Sequence, residues 1–201
     1  MKKIVLYVLV LLAAVSCGSR GGGKVDTRPM NEREWTKADV MDLEMKPVSS
    51  FAKDWMALGV RTKEGVNAMT ISWGAIGELW GKPVVTVYVS KDRHSKAMMD
   101  EADYFTVSAF PQDRCSKDAL VYIGSHSLKD EPDKLEKAGL TAELSELGNP
   151  LFKEASLAFE CKILYSEEFK RDRLPEEVRS LYEEMGLHTM YVGEIINLYE
   201  K

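Results

Sequence analysis

The sequence predicts an α+β fold that is mainly β, with about six strands wound into a small barrel and short helices on its flanks. Three observations carry this expectation. Several short runs are enriched in β-branched and aromatic side chains. Clusters of Gly, Pro, Asp and Ser separate them. The helical segments between them are brief, and each has its own start or stop chemistry.

In chain order, residues 55–62 and 66–72 read as strands joined by Lys63-Glu64-Gly65, where glycine suits the positive φ of a hairpin turn. Residues 84–89 are apolar except for Thr86, the pattern of a strand buried on both faces. Residues 104–110, 156–165 and 189–199 complete the six. Helices are expected over 95–102, with Ser95 as N-cap, and over 116–123, closed by Gly124. Two more are expected over 133–138 and over 175–184, the last opened by Pro175 and closed by Gly186.

The N-terminus carries a separate message. Lys2 and Lys3 precede an apolar run over 4–15, shorter than the roughly 20 residues that span a bilayer, so it reads as a secretory signal. Its end, Ala14-Val15-Ser16-Cys17, resembles a bacterial lipoprotein cleavage box that leaves Cys17 acylated. Residues 18–24 are rich in Gly and Ser, the composition of a flexible tether. The expected organisation is a signal peptide over 1–16, a tether over 17–36 and one domain over 37–201. The location it implies is the cell envelope, with the protein lipid-anchored and facing the periplasm or the cell surface. The chain carries 27 basic and 32 acidic residues, net −5. Loss of the signal removes two lysines, and such an acidic surface argues against a nucleic-acid partner.

Cys115 and Cys161 read as buried free thiols, since nothing local brings them together. His94, His126 and His188 lie far apart without metal-ligand spacing, so no metal is expected.

The richest segment is Asn67-Ala68-Met69-Thr70-Ile71-Ser72-Trp73-Gly74, followed by Arg93-His94-Ser95 at a helix start. The free N–H groups of a first helical turn favour an anion, and Arg93 adds a permanently charged fork. Thr70 and Ser72 can offer hydrogen bonds to a planar heterocycle that Trp73 walls. The order of these residues resembles the flavin reductase-like family, whose fold is the FMN-binding split barrel and which includes flavoredoxins. The resemblance runs from about Lys46 to the C-terminus. It also takes in Asp54-Trp55-Met56, Tyr104-Phe105-Thr106-Val107-Ser108, Asp133-Lys134 and the segment from His188 to Glu194.

The resemblance implies FMN as cofactor, held by Asn67, Thr70, Ile71, Ser72, Trp73, Arg93, Ser95, Ser127, Lys134 and His188. It also implies a homodimer with the flavin near the subunit interface. Trp80 is assigned to packing or a subunit contact. The chain departs from the family after Ser127, where Leu128-Lys129 replaces a common Gly-Arg pair, trading backbone freedom and a bidentate fork for bulk and a point charge. No catalytic nucleophile or triad is expected, because a flavin carries its own chemistry. Family members commonly take a hydride from a nicotinamide nucleotide. This chain has no Gly-x-Gly-x-x-Gly fingerprint, and its signal points outside the cytoplasm, so a membrane-associated electron donor is expected. The rival reading is a non-catalytic binding module that keeps the barrel and has lost redox function.

Overall fold

The structure, a computed structural model, describes residues 26–201. The signal segment, Cys17 and residues 18–24 lie outside the described residues. Ten strands form: β1 (Thr36–Ala38), β2 (Met56–Thr62), β3 (Gly65–Ile71), β4 (Gly74–Leu79), β5 (Lys82–Ser90), β6 (Tyr104–Ala109), β7 (Ala142–Leu144), β8 (Pro150–Phe152), β9 (Leu157–Glu168) and β10 (His188–Glu200). The six expected strands correspond to β2, β3, β5, β6, β9 and β10. The other four, β1, β4, β7 and β8, had no strong pattern to announce them.

The main sheet runs β3-β2-β6-β9-β10-β5-β4, with β1 added on β10, and every pairing is antiparallel. Its two end strands, β3 and β4, are neighbours in sequence. Only Ser72 and Trp73 separate them, and three peptide steps span at most about 11 Å. The sheet therefore curls until its ends meet at that corner, forming a barrel that is split between β3 and β4. Gly74 sits at the seam because the Phe51 ring lies where a Cβ would stand, 2.3 Å away.

The barrel interior is filled by Met56, Leu58, Val85, Val87, Phe105, Val107, Phe159 and Tyr191, all 1 % exposed or less. A second cluster forms where the outer face of β2 and β3 meets a helix. There Ala57 and Ala68 pack with Leu120 and Ile123 of α3.

Six short helices decorate the sheet: α1 (Pro47–Ser49), α2 (His94–Glu101), α3 (Arg114–Ser125), α4 (Lys134–Lys137), α5 (Glu176–Arg179) and α6 (Leu181–Glu184). Three expectations about their ends need correction. Ser95 is not the cap of α2: Arg93 occupies that position, and Ser95 lies inside the helix, 4 % exposed. Gly124 does not close α3, which runs on to Ser125 with His126 at its end. Its lack of a side chain instead admits Thr70, whose Cβ lies 3.1 Å from where a glycine Cβ would be. The 175–184 helix is broken into α5 and α6, and Gly186 serves a close contact: its N–H donates to Asp92 Oδ2 at 2.7 Å. The β2–β3 turn is as expected, with Gly65 at φ 111°.

Cys161 is buried, but Cys115 is exposed on the first turn of α3. Trp80 does not pack within the chain either. It is 66 % exposed at the β4–β5 tip, where Trp80 and Gly81 both take positive φ, as a two-residue type I′ loop requires. At the other end of the chain, Thr36 pairs with Glu200, and the Trp35 ring lies edge-on to Tyr199 at 6.4 Å. Lys201 donates to Met30 O at 3.3 Å. Ordered contacts therefore begin upstream of residue 37, inside the segment read as tether.

Candidate functional site

The site forms where β3 runs out at the split. Asn67, buried on β3, donates from Nδ2 to Ser95 Oγ at 2.9 Å and so locks the first turn of α2 onto the sheet. Lys134 opens α4 and inserts beneath it: Nζ donates to Ala68 O at 2.7 Å and approaches Asn67 Oδ1 at 3.5 Å. Arg93, at the cap position of α2, donates from Nη1 to Gly124 O at 2.8 Å. These groups, with Ser127 and Leu128, line a cavity of about 100 Å³.

Its charges are mostly positive: Arg93 and Lys134 face it, and its one carboxylate, Asp92, is engaged by Gly186 N–H. Lys134 is only 2 % exposed and forms no ion pair among the described residues. Burial, and after it the nearby Arg93 charge, lowers its pKa to about 8. Two cations and the N-terminal N–H groups of the eight-residue α2 thus face one small cavity. An unpaired buried ammonium is costly. An anion in this cavity would offset that cost, and a phosphate has the matching charge and acceptor oxygens.

Past Arg93 the groove continues into a second cavity of about 160 Å³, lined by Thr70, Ser72, Trp73, Tyr88, Met185 and His188. The Trp73 and His188 rings lie 4.8 Å apart between centroids, and Tyr182 meets His188 edge-on at 5.7 Å. His188 is held towards its neutral form, because burial and then Arg93 lower its pKa. Its buried Nδ1 has no hydrogen-bond partner among the described residues. An orphaned ring nitrogen beside an aromatic wall suits a heterocycle with polar edges.

All ten residues singled out from the sequence line these two cavities, and Arg93 belongs to both. Asn67, Ser95, Ser127 and Lys134 fall at the anion end, and Thr70, Ile71, Ser72, Trp73 and His188 at the ring end. Two of them act differently from the simplest expectation. Ile71 buries its side chain in the barrel core, so its backbone is what borders the groove. Thr70 donates its hydroxyl hydrogen to Leu120 O, fastening α3 to β3, and keeps only lone pairs for a ligand. Of the divergent pair, Leu128 packs against the core and lines the anion cavity, whereas Lys129 is exposed and does not. Sequence reasoning missed Met185, Tyr88 and Tyr182. Tyr88 alternates with the buried Val87 and Val89, a period-two signal hidden by the apolar run. Tyr182 lies on α6 and Met185 at its C-terminal end, and what brings them to His188 is the packing of this segment against the groove, which no local pattern announces. Among the described residues no group of His, Cys, Asp and Glu gathers as a metal site would require.

A curled antiparallel sheet, split at a corner where a pocket carrying Arg93 and Lys134 meets an aromatic slot, defines a split-barrel protein with a groove at the split. The chain belongs to the flavin reductase-like family, whose flavin reductase like domain matches residues 48–201. Among solved structures it is similar to a flavoredoxin from Methanosarcina acetivorans, with 23 % identity and TM-score 0.58 over 74 % of this chain and 68 % of that one. It is also similar to an FMN-binding domain of a flavin reductases-like enzyme from Shewanella baltica, with 17 % identity and TM-score 0.57 over 83 % and 77 % of the two chains. A third is the NADH:FAD oxidoreductase SgcE6 of Streptomyces globisporus, with 22 % identity and TM-score 0.56 over 74 % and 74 to 75 %. These likenesses establish the fold. No curated protein matches the chain in sequence.

Proposed function

We propose that this chain is an FMN-binding oxidoreductase or electron-transfer protein, held at the cell envelope by a lipid on Cys17. The observation that carries the reading is the pair of cations, Arg93 and nearly buried Lys134, on one cavity: neither forms an ion pair among the described residues, and the one carboxylate in the lining, Asp92, accepts from Gly186 N–H. Arg93, Lys134, Ser95 and the α2 N–H groups would hold the phosphate. Trp73, His188 and Ser72 would border the ring, with neutral His188 able to donate or accept at Nδ1. Bound there, the isoalloxazine supplies the electron and hydride chemistry. The protein binds and orients it, and the seam between β3 and β4 leaves access from solvent.

Association into a homodimer with the flavin near the interface is part of this proposal. The exposed Trp73 and Trp80, 41 % and 66 % accessible at the two ends of edge strand β4, support it. The deciding experiment is a visible spectrum of the purified protein. Bound, reducible flavin supports the proposal; a protein that stays colourless after incubation with FMN favours the non-catalytic module.

Two further outcomes test the cellular setting. Cys17→Ser is expected to give a protein that no longer partitions with membranes, measured by detergent-phase partitioning, and continued membrane association would refute the lipid anchor. The natural electron donor is taken to be membrane-associated. Reduction by added NADH or NADPH should then rise almost linearly through the millimolar range, because adapted substrates usually show KM values of about 1 μM to 1 mM. A low-micromolar KM for either nucleotide would restore a nicotinamide donor.

A further inference from the structure

A third cavity shares Arg93, Thr70 and Ser72 with the groove and extends away from it towards α3. It measures about 280 Å³ and lies between α3 and the end of β3, lined by Trp55, Leu120, Val121, Gly124, Ser125 and Arg93. Thr70 and Ser72 form its wall towards the ring end, so it adjoins the groove without containing Trp73 or His188. Its size is near the lower end of the roughly 300–1,000 Å³ usual for small-molecule pockets. Its lining combines an indole, two aliphatic side chains, three hydroxyls and a guanidinium, with no carboxylate.

One lining residue is held in an unusual conformation. Trp55 has φ 63° and ψ 158°, a region of backbone space that is essentially glycine's. Lys117 stabilises it there, with Nζ 3.3 Å from the centre of the indole ring and donating to Lys53 O at 3.2 Å. Strained backbone that holds an aromatic wall in a cavity is the kind of outlier that clusters at ligand clamps. Val121 is half exposed on the same cavity, an apolar side chain left towards solvent on an otherwise amphipathic helix.

We infer that this cavity is a subsite for a flat aromatic anion, with the ring against Trp55, Leu120 and Val121 and the negative group towards Arg93. A role for this subsite in holding a second substrate beside the flavin rests on the function proposed above; the binding itself does not. Stacking and contact with Trp55 and the aliphatic pair supply apolar burial. Arg93 has five N–H donors, of which one is engaged by Gly124 O, so it can serve an anion on this side while facing the phosphate cavity on the other.

The test is calorimetric titration of the full chain with 2-naphthoate and with neutral 2-naphthamide, each with and without saturating FMN. Naphthoate should bind one to one and about tenfold or more tighter than the amide, since a charge-assisted bond is at stake. FMN should weaken it by no more than about fivefold, a like-charge effect rather than displacement. Val121→Asp, a change at a half-exposed position, should abolish naphthoate binding, while Val121→Ile retains it. Stoichiometric displacement by FMN would overturn the inference, because the cavity would then be part of the flavin's own groove. Undiminished binding to Val121→Asp would overturn it as well. Naphthoate binding to a protein that takes no FMN would leave the subsite standing and sink the flavin reading.

Discussion

At the anion end of the groove the polar side chains are tied to one another: Asn67 to Ser95, Lys134 to Ala68, and Arg93 to Gly124. At the ring end Trp73 is 41 % exposed, His188 has an unpartnered buried nitrogen, and Met185 reaches in from a loop. The first region is preorganised around two cations that form no ion pair among the described residues. The second offers surfaces and few fixed bonds. A fixed network suits the invariant part of a ligand, its phosphate, because the cost of ordering Lys134 and burying it falls on folding rather than on binding. Loose aromatic walls suit a ring whose electronic state changes and whose partners come and go.

The sharpest way to break this contrast is Arg93→Ala. It should weaken FMN by about 1.5–3 kcal/mol, roughly tenfold to 150-fold, and leave riboflavin nearly unaffected, because only FMN has the phosphate. Equal losses for the two, measured by fluorescence titration, would move the anion site elsewhere.

The Lys134 ammonium provides a second, pH-dependent probe. Its folded pKa of about 8 lies below its ordinary value of 10.5. Between those values the unfolded chain keeps a proton that the folded chain has lost, so this group makes stability rise with pH over that window. Chemical unfolding across pH 8 to 10.5 should show that rise in the parent and lose it in Lys134→Met. FMN affinity should move the opposite way, falling above about pH 8 as the ammonium is lost, and that fall should vanish in the same variant.

The smallest effect belongs to the ring end. Trp73→Ala should cost FMN and riboflavin alike about 0.5–1.5 kcal/mol, the usual worth of an aromatic contact. A loss confined to FMN would mean that Trp73 acts through the phosphate end.

The sequence made the long strands legible because their β-branched runs and the Gly65 turn are local signals. It left β4 invisible, since Gly74-Ala75-Ile76-Gly77-Glu78-Leu79 contains two glycines and no alternation, and its strand state is imposed by β5. The candidate site residues were legible by type, while their roles depended on distant contacts. Ser95 has the chemistry of a cap, yet a buried asparagine 28 residues upstream claims its hydroxyl and Arg93 takes the cap position. Gly124 has the chemistry of a helix stop, yet what it serves is the approach of Thr70. In both cases tertiary contact overrode local preference. The strained Trp55 gave no sign at all, because nothing in Asp54-Trp55-Met56 announces a positive φ.

The two-residue link between β3 and β4 also bears on how the molecule reaches this state. The β2–β3 and β4–β5 hairpins are local and can zip early, on the microsecond scale of hairpin formation. They become opposite ends of one sheet only through β6, β9 and β10, with pairings as far apart in sequence as Val84 and Glu194. Such high contact order slows folding, since loop entropy is lost before the distant strands reward it. The groove at the seam cannot exist until that circuit is complete. Ligand capture at Ser72 and Trp73 is therefore a late event in folding, and its time course would report when the last strand has docked.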